Sequence, residues 1–286
     1  MGKIDRRTGL SHKEFMNEYV IPNRPVILTD ASKGWEAHKV FKPEFFKTNF
    51  PEKMATIKGT QYKLGEYVDM MLTSTAENPA PYPFKVDLDR TFPELKKYIE
   101  PGFEVMKKNR LKSPLFRKAL IPQAATLEVF FGGASGWFPY IHYDLYGLYA
   151  IVTQVYGRKE FTLWKPEEEK LMYPDPENPW MSTIKEYWNP DYQKYPLFKN
   201  ANPMSDVVAP GETVYVPKGW WHTARSLEPS ISIAMDLLAG TNWDLFSRDV
   251  VFYKRKQSKL KADIMSAYLK AVGAAMSVHE SFVKKY

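Results

Sequence analysis

The sequence predicts a mainly β fold with helical decoration, and two observations carry that prediction. Short apolar runs bounded by Gly or Pro recur through the second half of the chain, at 126–131, 149–156, 212–216 and 230–238. Short strands separated by turn signals at near-regular spacing are typical of a β-barrel or jelly roll. From Asp244 onward the tail is predicted to be helical, with one apolar face formed by residues at helical spacing: Leu260, Ile264, Met265, Tyr268, Leu269, Val272 and Met276.

The N-terminal part of the chain combines helices with a buried strand. Ser11 followed by Glu14 is a capping-box pattern, which predicts a short helix over residues 11–19. The apolar run 25–29 predicts a buried strand. Residues 62–72 carry apolar side chains at helical spacing and predict a second helix.

The composition limits the chemistry that the chain can perform. With 286 residues and 44% hydrophobic residues, the chain is long enough to bury a substantial core. It has no cysteine, which excludes disulfide scaffolds, zinc fingers and thiol nucleophiles. Any metal site must therefore use Asp, Glu and the five histidines. The net charge of +7 permits a polyanionic partner such as RNA, although it is modest for this length.

The sequence gives no sign of membrane insertion or secretion. The charged N-terminus has no apolar run behind it, and no stretch of about 18 apolar residues occurs anywhere. We therefore expect an intracellular, soluble, cytoplasmic protein with no membrane partner.

The first motif with chemical content is His142-Tyr143-Asp144, which follows a Gly-rich break at 132–136. On a strand, residues i and i+2 point to the same face, so His142 and Asp144 can bind one ion. In a chain with five histidines and 33 acidic residues, an H-x-D or H-x-E motif is about as likely as not to occur by chance. Residues 12–14 supply a second example. That example lies at a predicted helix start, where i and i+2 diverge, so we discard it.

The second motif is Pro217-Lys218-Gly219-Trp220-Trp221-His222, which follows the predicted strand 212–216. A single histidine beside two tryptophans is most simply a packed core residue. Two histidines and one carboxylate, however, form the facial triad that holds non-haem Fe(II) and leaves coordination positions open. His222, combined with His142 and Asp144, is therefore a candidate metal ligand.

The third motif is Gly157-Arg158-Lys159, a turn that leads into the strand 160–164. A keto-acid co-substrate has a remote carboxylate that needs a cation inside a barrel, and an inward-pointing Lys supplies one. Arg158 and Lys159 are adjacent and face opposite sides of a strand, so at most one of them can serve. Residues 165–206 after this strand are rich in proline and charge without clear period, and we expect a long insert or loop region.

These motifs, in this order, resemble the JmjC/cupin-like Fe(II)- and 2-oxoglutarate-dependent oxygenases. The likeness includes Pro210-Gly211-Glu212 before the second histidine motif, and Asn23–Asp30, which is similar to the opening strand of that family. Tyr195–Phe198 is similar to the segment ahead of its last barrel strands. The resemblance extends over roughly residues 10–240.

The resemblance implies a double-stranded β-helix (jelly-roll) core and a set of site residues. Residues 1–240 would form the oxygenase domain, and 241–286 a C-terminal helical segment that often forms a homodimer in such proteins. The cofactor would be Fe(II), with 2-oxoglutarate as co-substrate. By the same resemblance, no catalytic residue is assigned beyond the metal ligands His142, Asp144 and His222, and Lys159 would bind the distal carboxylate of 2-oxoglutarate.

Two departures from the family pattern concern the co-substrate pocket. The interval from Asp144 to Lys159 is about two residues longer than usual, so we expect a small bulge after Asp144. Ala150 and Asp236 stand where many relatives carry Asn. Neither position belongs to the expected metal triad.

The expected function is hydroxylation of a C–H bond in a protein side chain, an amino acid or a related small molecule. Within the resemblance, H-x-D rather than H-x-E favours hydroxylation over demethylation. One alternative is the same chemistry on transfer RNA, which the basic cluster at 254–261 favours; another is a non-catalytic cupin-like binding protein. We expect that some of a set of aromatic residues wall the pocket: Trp137, Phe138, Tyr140, Tyr149, Trp220 and Trp221.

Overall fold

A computed structural model describes residues 2–99, 108–117 and 127–283 of the chain. Over these ranges the strands are β1 (Asp5–Arg7), β2 (Val26–Leu28), β3 (Met54–Ile57), β4 (Thr60–Lys63), β5 (Phe84–Asp87), β6 (Leu127–Gly132), β7 (Tyr149–Tyr156), β8 (Lys159–Trp164), β9 (Met204–Val208), β10 (Thr213–Val216), β11 (Trp221–Ser226) and β12 (Ser230–Leu237).

The helices over the same ranges are mostly short except at the C-terminus. The α-helices are α1 (His12–Phe15), α2 (Ala37–Val40), α3 (Pro43–Asn49), α4 (Leu64–Leu72), α5 (Leu88–Thr91), α6 (Trp243–Gln257) and α7 (Lys259–Phe282). A π-helical turn covers Met16–Val20, and 3₁₀ segments cover Pro93–Ile99, Arg110–Lys112, Leu145–Gly147, Pro166–Met172, Pro196–Asn200 and Gly240–Asn242.

Two sheets form the core of the molecule. The larger sheet has seven strands in the order β1-β2-β10-β7-β12-β6-β5, and the smaller has three in the order β11-β8-β9. All neighbouring strands are antiparallel except β1 and β2, and β3 and β4 form a separate hairpin. The two sheets contribute to one apolar cluster and to one cavity between them. The architecture agrees with the predicted mainly β fold with helical decoration around a jelly-roll core.

The N-terminal elements cover one side of the larger sheet. Both hydrogen bonds of the predicted capping box between Ser11 and Glu14 are present, and the helix continues through the π-helical turn. The second predicted helix begins at Leu64 rather than at residue 62, because Tyr62 and Lys63 pair with β3. Phe46 packs edge-on against Phe131 of β6, with ring centroids 4.8 Å apart. This aromatic contact belongs to the largest buried cluster.

The prediction of an insert without regular structure over 165–206 is only partly right. Two 3₁₀ segments lie in it, and strand β9 begins at Met204, inside the expected insert. Ser205 and Asp206 interrupt the apolar pattern of β9, so the sequence alone gives no strand signal there. The strand forms because it pairs with β8 at the edge of the smaller sheet.

The C-terminal tail is helical as predicted, but it consists of two helices. Ser258 caps α7 with its side chain and separates it from α6. Leu269 and Met276 of the predicted apolar face are buried against α6 and neighbouring elements. Leu260 and Ile264 from the same predicted face are instead 69% and 61% exposed. That part of the prediction is wrong, because at about 3.6 residues per turn Leu260 and Ile264 lie on the opposite side of α7 from its buried residues Ala262, Leu269 and Met276.

Some sequence-based expectations touch residues outside those that the structure describes. Thr126, placed at the start of the strand now observed as β6, is one, and the last three residues of the predicted tail are others. Among the described residues, no helix combines the length and the apolar character needed to span a lipid bilayer.

Candidate metal centre

His222 is held rigidly at the start of β11. The turn 217–220 precedes it, with Gly219 at φ +72°, and His222 then pairs with Leu163 of β8. Its Nδ1 donates a hydrogen bond to the carbonyl oxygen of Trp220 at 3.0 Å. This contact fixes the ring and its tautomer, which leaves Nε2 as the free donor atom for a metal.

His142 and Asp144 are not on a strand, in contrast to the prediction. His142 forms an isolated pair of backbone hydrogen bonds with His222, from the His142 amide at 3.0 Å and from the His222 amide at 2.6 Å. On its other side it bridges to Met181. Asp144 then caps the 3₁₀ turn that follows, in which Tyr146 has φ +62°. This turn matches the bulge expected after Asp144.

The three predicted ligands nevertheless converge on one point. His142, Asp144 and His222 each offer a donor atom, and these atoms all lie within 4.8 Å of one another. Among the described residues, buried His142 Nδ1 and Asp144 Oδ2 lack a hydrogen-bond partner. Burial, reinforced by His222, lowers the pKa of His142 well below its ordinary value, so the imidazole is neutral as a metal ligand must be. Burial raises the pKa of Asp144, a cost that a bound cation removes.

The donor set therefore fits Fe(II). Two imidazoles and one carboxylate on one side of an ion are the facial arrangement typical of non-haem iron, and they leave the opposite side open. We call these three residues the metal end of the central cavity. The cavity has a volume of about 520 Å³ and lies between the two sheets.

The opposite end of the cavity contains a buried lysine. Lys159 is only 2% exposed, and its Nζ donates to Ser232 Oγ at 2.7 Å and to Tyr82 OH at 3.3 Å. Ser232 in turn donates to Oε1 of Gln154 at 2.8 Å. None of the ion pairs within the described ranges includes Lys159, and burial lowers the pKa of its ammonium to about 7. We call Lys159, Tyr82 and Ser232 the lysine end.

The two basic candidates on the third motif face opposite sides, as predicted. Arg158 is exposed and pairs with Glu228 at 3.1 Å, while Lys159 points into the cavity. Strand β8 begins at Lys159, and its alternation sends Lys159, Phe161 and Leu163 toward the space between the sheets.

Two further carboxyl groups lie beside the metal end. Glu128 of β6 is paired with Ala234 of β12, and Asp236 lies two residues further along β12 on the same face. Lys85 Nζ lies 2.9 Å from a Glu128 oxygen. Burial, with repulsion from Asp144 and Glu128, raises the pKa of Asp236 well above its ordinary value. This side of the cavity therefore carries more carboxyl groups than cations.

Only some of the expected aromatic residues line the cavity. Phe138 and Tyr140 do so, and Phe138 stacks on His142 with ring centroids 4.4 Å apart. The other four do not line it: Trp137, Tyr149, Trp220 and Trp221. Ala150 and Asp236, expected near the co-substrate, do line it.

Sequence reasoning missed several cavity residues. Tyr82 lies in a proline-rich connector, and Trp180 comes from the expected insert. Lys85 and Glu128 become neighbours only because β5 pairs with β6. No local pattern marks any of these residues, although the alternation of Phe84–Asp87 hints at a strand.

Comparison with known proteins agrees with the geometry. The family model of the cupin-like domain matches residues 44–237, which is more than half of the chain. "Lysine-specific demethylase JMJ21" of Arabidopsis thaliana is 27% identical over 268 residues, covering 87% of this chain and 27% of the relative. "Arginine-specific demethylase JMJ20" of the same plant is 24% identical over 284 residues, covering 87% and 61%.

A third relative, "Lysine-specific demethylase 8" of Danio rerio, is 26% identical over 239 residues, covering 78% of this chain and 55% of the relative. The chain thus spans between about a quarter and three fifths of these relatives. Fe(II) and 2-oxoglutarate are the cofactors of this family, and the metal end fits the iron. The match over residues 44–237 and the His-Asp-His geometry lead to one conclusion: this chain belongs to the cupin-like JmjC family.

Proposed function

We propose that the protein is an Fe(II)- and 2-oxoglutarate-dependent dioxygenase that hydroxylates a C–H bond of its substrate. The observation that carries the proposal is the pairing of the two cavity ends. A site with three metal-binding donors faces, across one cavity, a buried ammonium group that pairs with no carboxylate among the described residues. An iron ion and a dicarboxylic keto acid complement these two ends.

The chain's own residues hold and orient the reactants. His142, Asp144 and His222 would hold Fe(II) from one side, and Lys159 would bind the distal carboxylate of 2-oxoglutarate. Ser232 and Tyr82 keep the Lys159 ammonium in place. When bound, iron and 2-oxoglutarate supply the oxidation of a C–H bond by dioxygen, coupled to decarboxylation of the keto acid to succinate and CO₂.

We further propose that the group oxidised belongs to a cationic protein side chain. Asp144, Glu128 and Asp236 lie on one side of the cavity, and Lys85 is the cation that pairs there. When Asp144 binds iron and Glu128 pairs with Lys85, Asp236 remains as the carboxyl group that can bind a positively charged substrate group. The rings of Tyr140 and Trp180 line the same cavity, and aromatic faces attract ammonium and guanidinium groups. Relatives named for lysine- and arginine-specific demethylation support this choice of substrate.

The experiment measures succinate formation with Fe(II), ascorbate and oxygen in the presence of matched peptides. Peptides with lysine, arginine and their N-methyl forms are compared with neutral norleucine and citrulline analogues. We expect cationic peptides to stimulate turnover and to gain one oxygen atom by mass spectrometry. The variant Asp236→Asn should lose the preference for cations, whereas Asp69→Asn, on the exposed surface, should retain it.

Three results would contradict different parts of the proposal. Loss of a methyl group, rather than a retained oxygen, would make the protein a demethylase. If succinate forms but no peptide stimulates its formation, the substrate is of another kind. If no succinate forms in any condition, the result favours the non-catalytic cupin-like alternative.

The RNA alternative stays a prediction with weaker support. The basic cluster lies at the junction of α6 and α7, where Lys256 pairs with Glu177 and Arg255 with Asp263. These pairings reduce the positive charge that the cluster can offer to phosphates. If transfer RNA were the substrate, its binding should weaken steeply as salt concentration rises.

The homodimer and the division into residues 1–240 and 241–286 also stay proposals. Exposed apolar residues on α7, namely Leu260, Ile264, Val278 and Phe282, support a contact between C-terminal helices. Sedimentation of the full chain and of Ile264→Arg tests it. A dimer that the variant disrupts supports the contact, and a wild-type monomer contradicts it.

A further inference from the structure

We propose that the chain has a second ligand site, an outer cavity that takes a small planar aromatic carboxylate. The outer cavity lies on the reverse face of the three-stranded sheet and has a volume of about 320 Å³. Its defining residues are Trp164, Tyr187, Trp188, Tyr192, Lys199 and Arg225. The proposal does not rest on the oxygenase activity.

The alternation of strand β8 separates the outer cavity from the central one. Lys159 and Phe161 line the central cavity, whereas Glu160 and Thr162 line the outer cavity. The two cavities share this sheet as a common wall, and no described residue lines both of them. A ligand of the outer cavity therefore does not compete directly with the groups that bind at the metal end.

The walls of the outer cavity are aromatic and partly exposed. Trp188 and Tyr192 are 38% and 43% exposed, so part of each ring is available to pack against a ligand. Trp188 lies against Trp137, with ring centroids 3.6 Å apart, and meets the Tyr187 ring edge-on at 5.3 Å. These contacts hold the indole in place before any ligand arrives. A planar ring can pack against it with little loss of side-chain freedom.

Two buried hydrogen-bond donors belong to residues that line the outer cavity. Among the described residues, Trp164 Nε1 and Arg225 Nε are buried and lack a partner. Both atoms can only donate, so a ligand that satisfies them must bring acceptor oxygens. The guanidinium of Arg225 binds Glu160 at 2.9 Å through another nitrogen, which neutralises that carboxylate.

The charge of the outer cavity favours an anion. Arg225 and Lys199 contribute two positive charges, and Glu160 contributes one negative charge. Lys199 Nζ lies over the Tyr192 ring, 5.3 Å from its centroid, so it stands beside an aromatic wall. A volume near the lower end of the range for small-molecule sites fits one fused ring with a single carboxylate. Ring, carboxylate and size together define the ligand class.

The test is calorimetric titration of the full chain with indole-3-acetate as the probe. Tryptamine has the same ring with a positive charge, and acetate has the charge without the ring. We expect indole-3-acetate to bind with a dissociation constant on the order of 1 mM or tighter, and both controls to bind far more weakly. Trp188→Ala should weaken binding about fivefold or more. Lys199→Met, at an exposed position, should also weaken it, whereas the exposed aromatic control Phe282→Ala should not.

Several outcomes would overturn the proposal. If tryptamine bound as tightly as indole-3-acetate, the outer cavity would have no preference for an anion. If Trp188→Ala and Lys199→Met both left the affinity for indole-3-acetate unchanged, the probe would bind elsewhere. Loss of binding in Lys159→Met would assign the probe to the central cavity. Absence of any binding up to about 10 mM would show that the outer cavity is no site for this ligand class.

Discussion

The two ends of the central cavity differ in charge and are complementary to ligands of opposite sign. At the metal end, Asp144 is partly buried beside other carboxyl groups, and this burial raises the pKa of its carboxyl group. At the lysine end, the Lys159 ammonium is buried without a counter-ion in the part of the chain that the structure describes, and burial lowers its pKa to about 7. Each end disfavours its own charged form while the cavity is empty. A cation at the metal end and a dicarboxylate at the lysine end therefore relieve both costs at once.

The largest expected effect comes from breaking the metal end. We expect His222→Ala to lower succinate formation at least about a hundredfold, because it removes one of three ligands and the backbone-anchored ring that positions it. The activity is measured at saturating Fe(II) beside His12→Ala, which removes an exposed histidine. Equal activity in the two variants would be incompatible with a metal role for His222.

The next effect comes from breaking the lysine end. Lys159→Met keeps an unbranched apolar chain but removes the ammonium, and we expect KM for 2-oxoglutarate to rise about tenfold to a hundredfold. The neighbouring Arg158→Met is the matched control, since that side chain is exposed and pairs with Glu228. Should both variants keep the wild-type KM, the keto acid does not bind at Lys159.

The affinity for 2-oxoglutarate should depend on pH through the lysine end. Lys159 in the empty cavity has a pKa of about 7, so at higher pH its neutral form must take up a proton to bind a carboxylate. The apparent dissociation constant of 2-oxoglutarate should therefore rise toward tenfold for each unit above about pH 7. Calorimetry between about pH 6 and about pH 9 measures this slope. The slope should be flat in Lys159→Met; a wild-type profile that is equally flat would refute the assignment.

The smallest expected effect comes from removing a hydrogen-bond partner of the Lys159 ammonium. Ser232→Ala removes the hydroxyl that accepts from Nζ at 2.7 Å, and we expect KM for 2-oxoglutarate to rise about fivefold. Ser205→Ala, a buried serine on β9 that bonds to Thr162, is the control, and its KM should not change. A rise in both variants would indicate general loosening of the sheet rather than a local role.

The sequence could predict those parts of the site that local motifs carry. Each of three motifs can be recognised within a few residues: the H-x-D motif, the second histidine and the turn before Lys159. Their order resembles that of the JmjC/cupin-like family, and this resemblance implies a shared cavity. The prediction failed where pairing between distant strands decides the structure. His142 is held by a backbone contact with His222, and Asp144 stands at the start of a 3₁₀ turn, so neither residue lies on a strand.

The same limit explains the residues that were missed. Lys85 and Glu128 lie more than forty residues apart and meet only through the β5–β6 pair. Tyr82 reaches the cavity from a connector, and Ser232 is one of several small residues on an apolar strand. Such positions depend on tertiary packing, which no periodicity in a single sequence encodes.

The most direct test of the two-ended cavity is calorimetric titration of 2-oxoglutarate with and without Fe(II) under nitrogen. We predict that Fe(II) tightens binding of 2-oxoglutarate about tenfold or more, and that this gain disappears in His222→Ala. In Lys159→Met the affinity should fall whether or not the metal is present. Equal affinity of the wild type with and without Fe(II), or binding that is insensitive to Lys159→Met, would contradict the account.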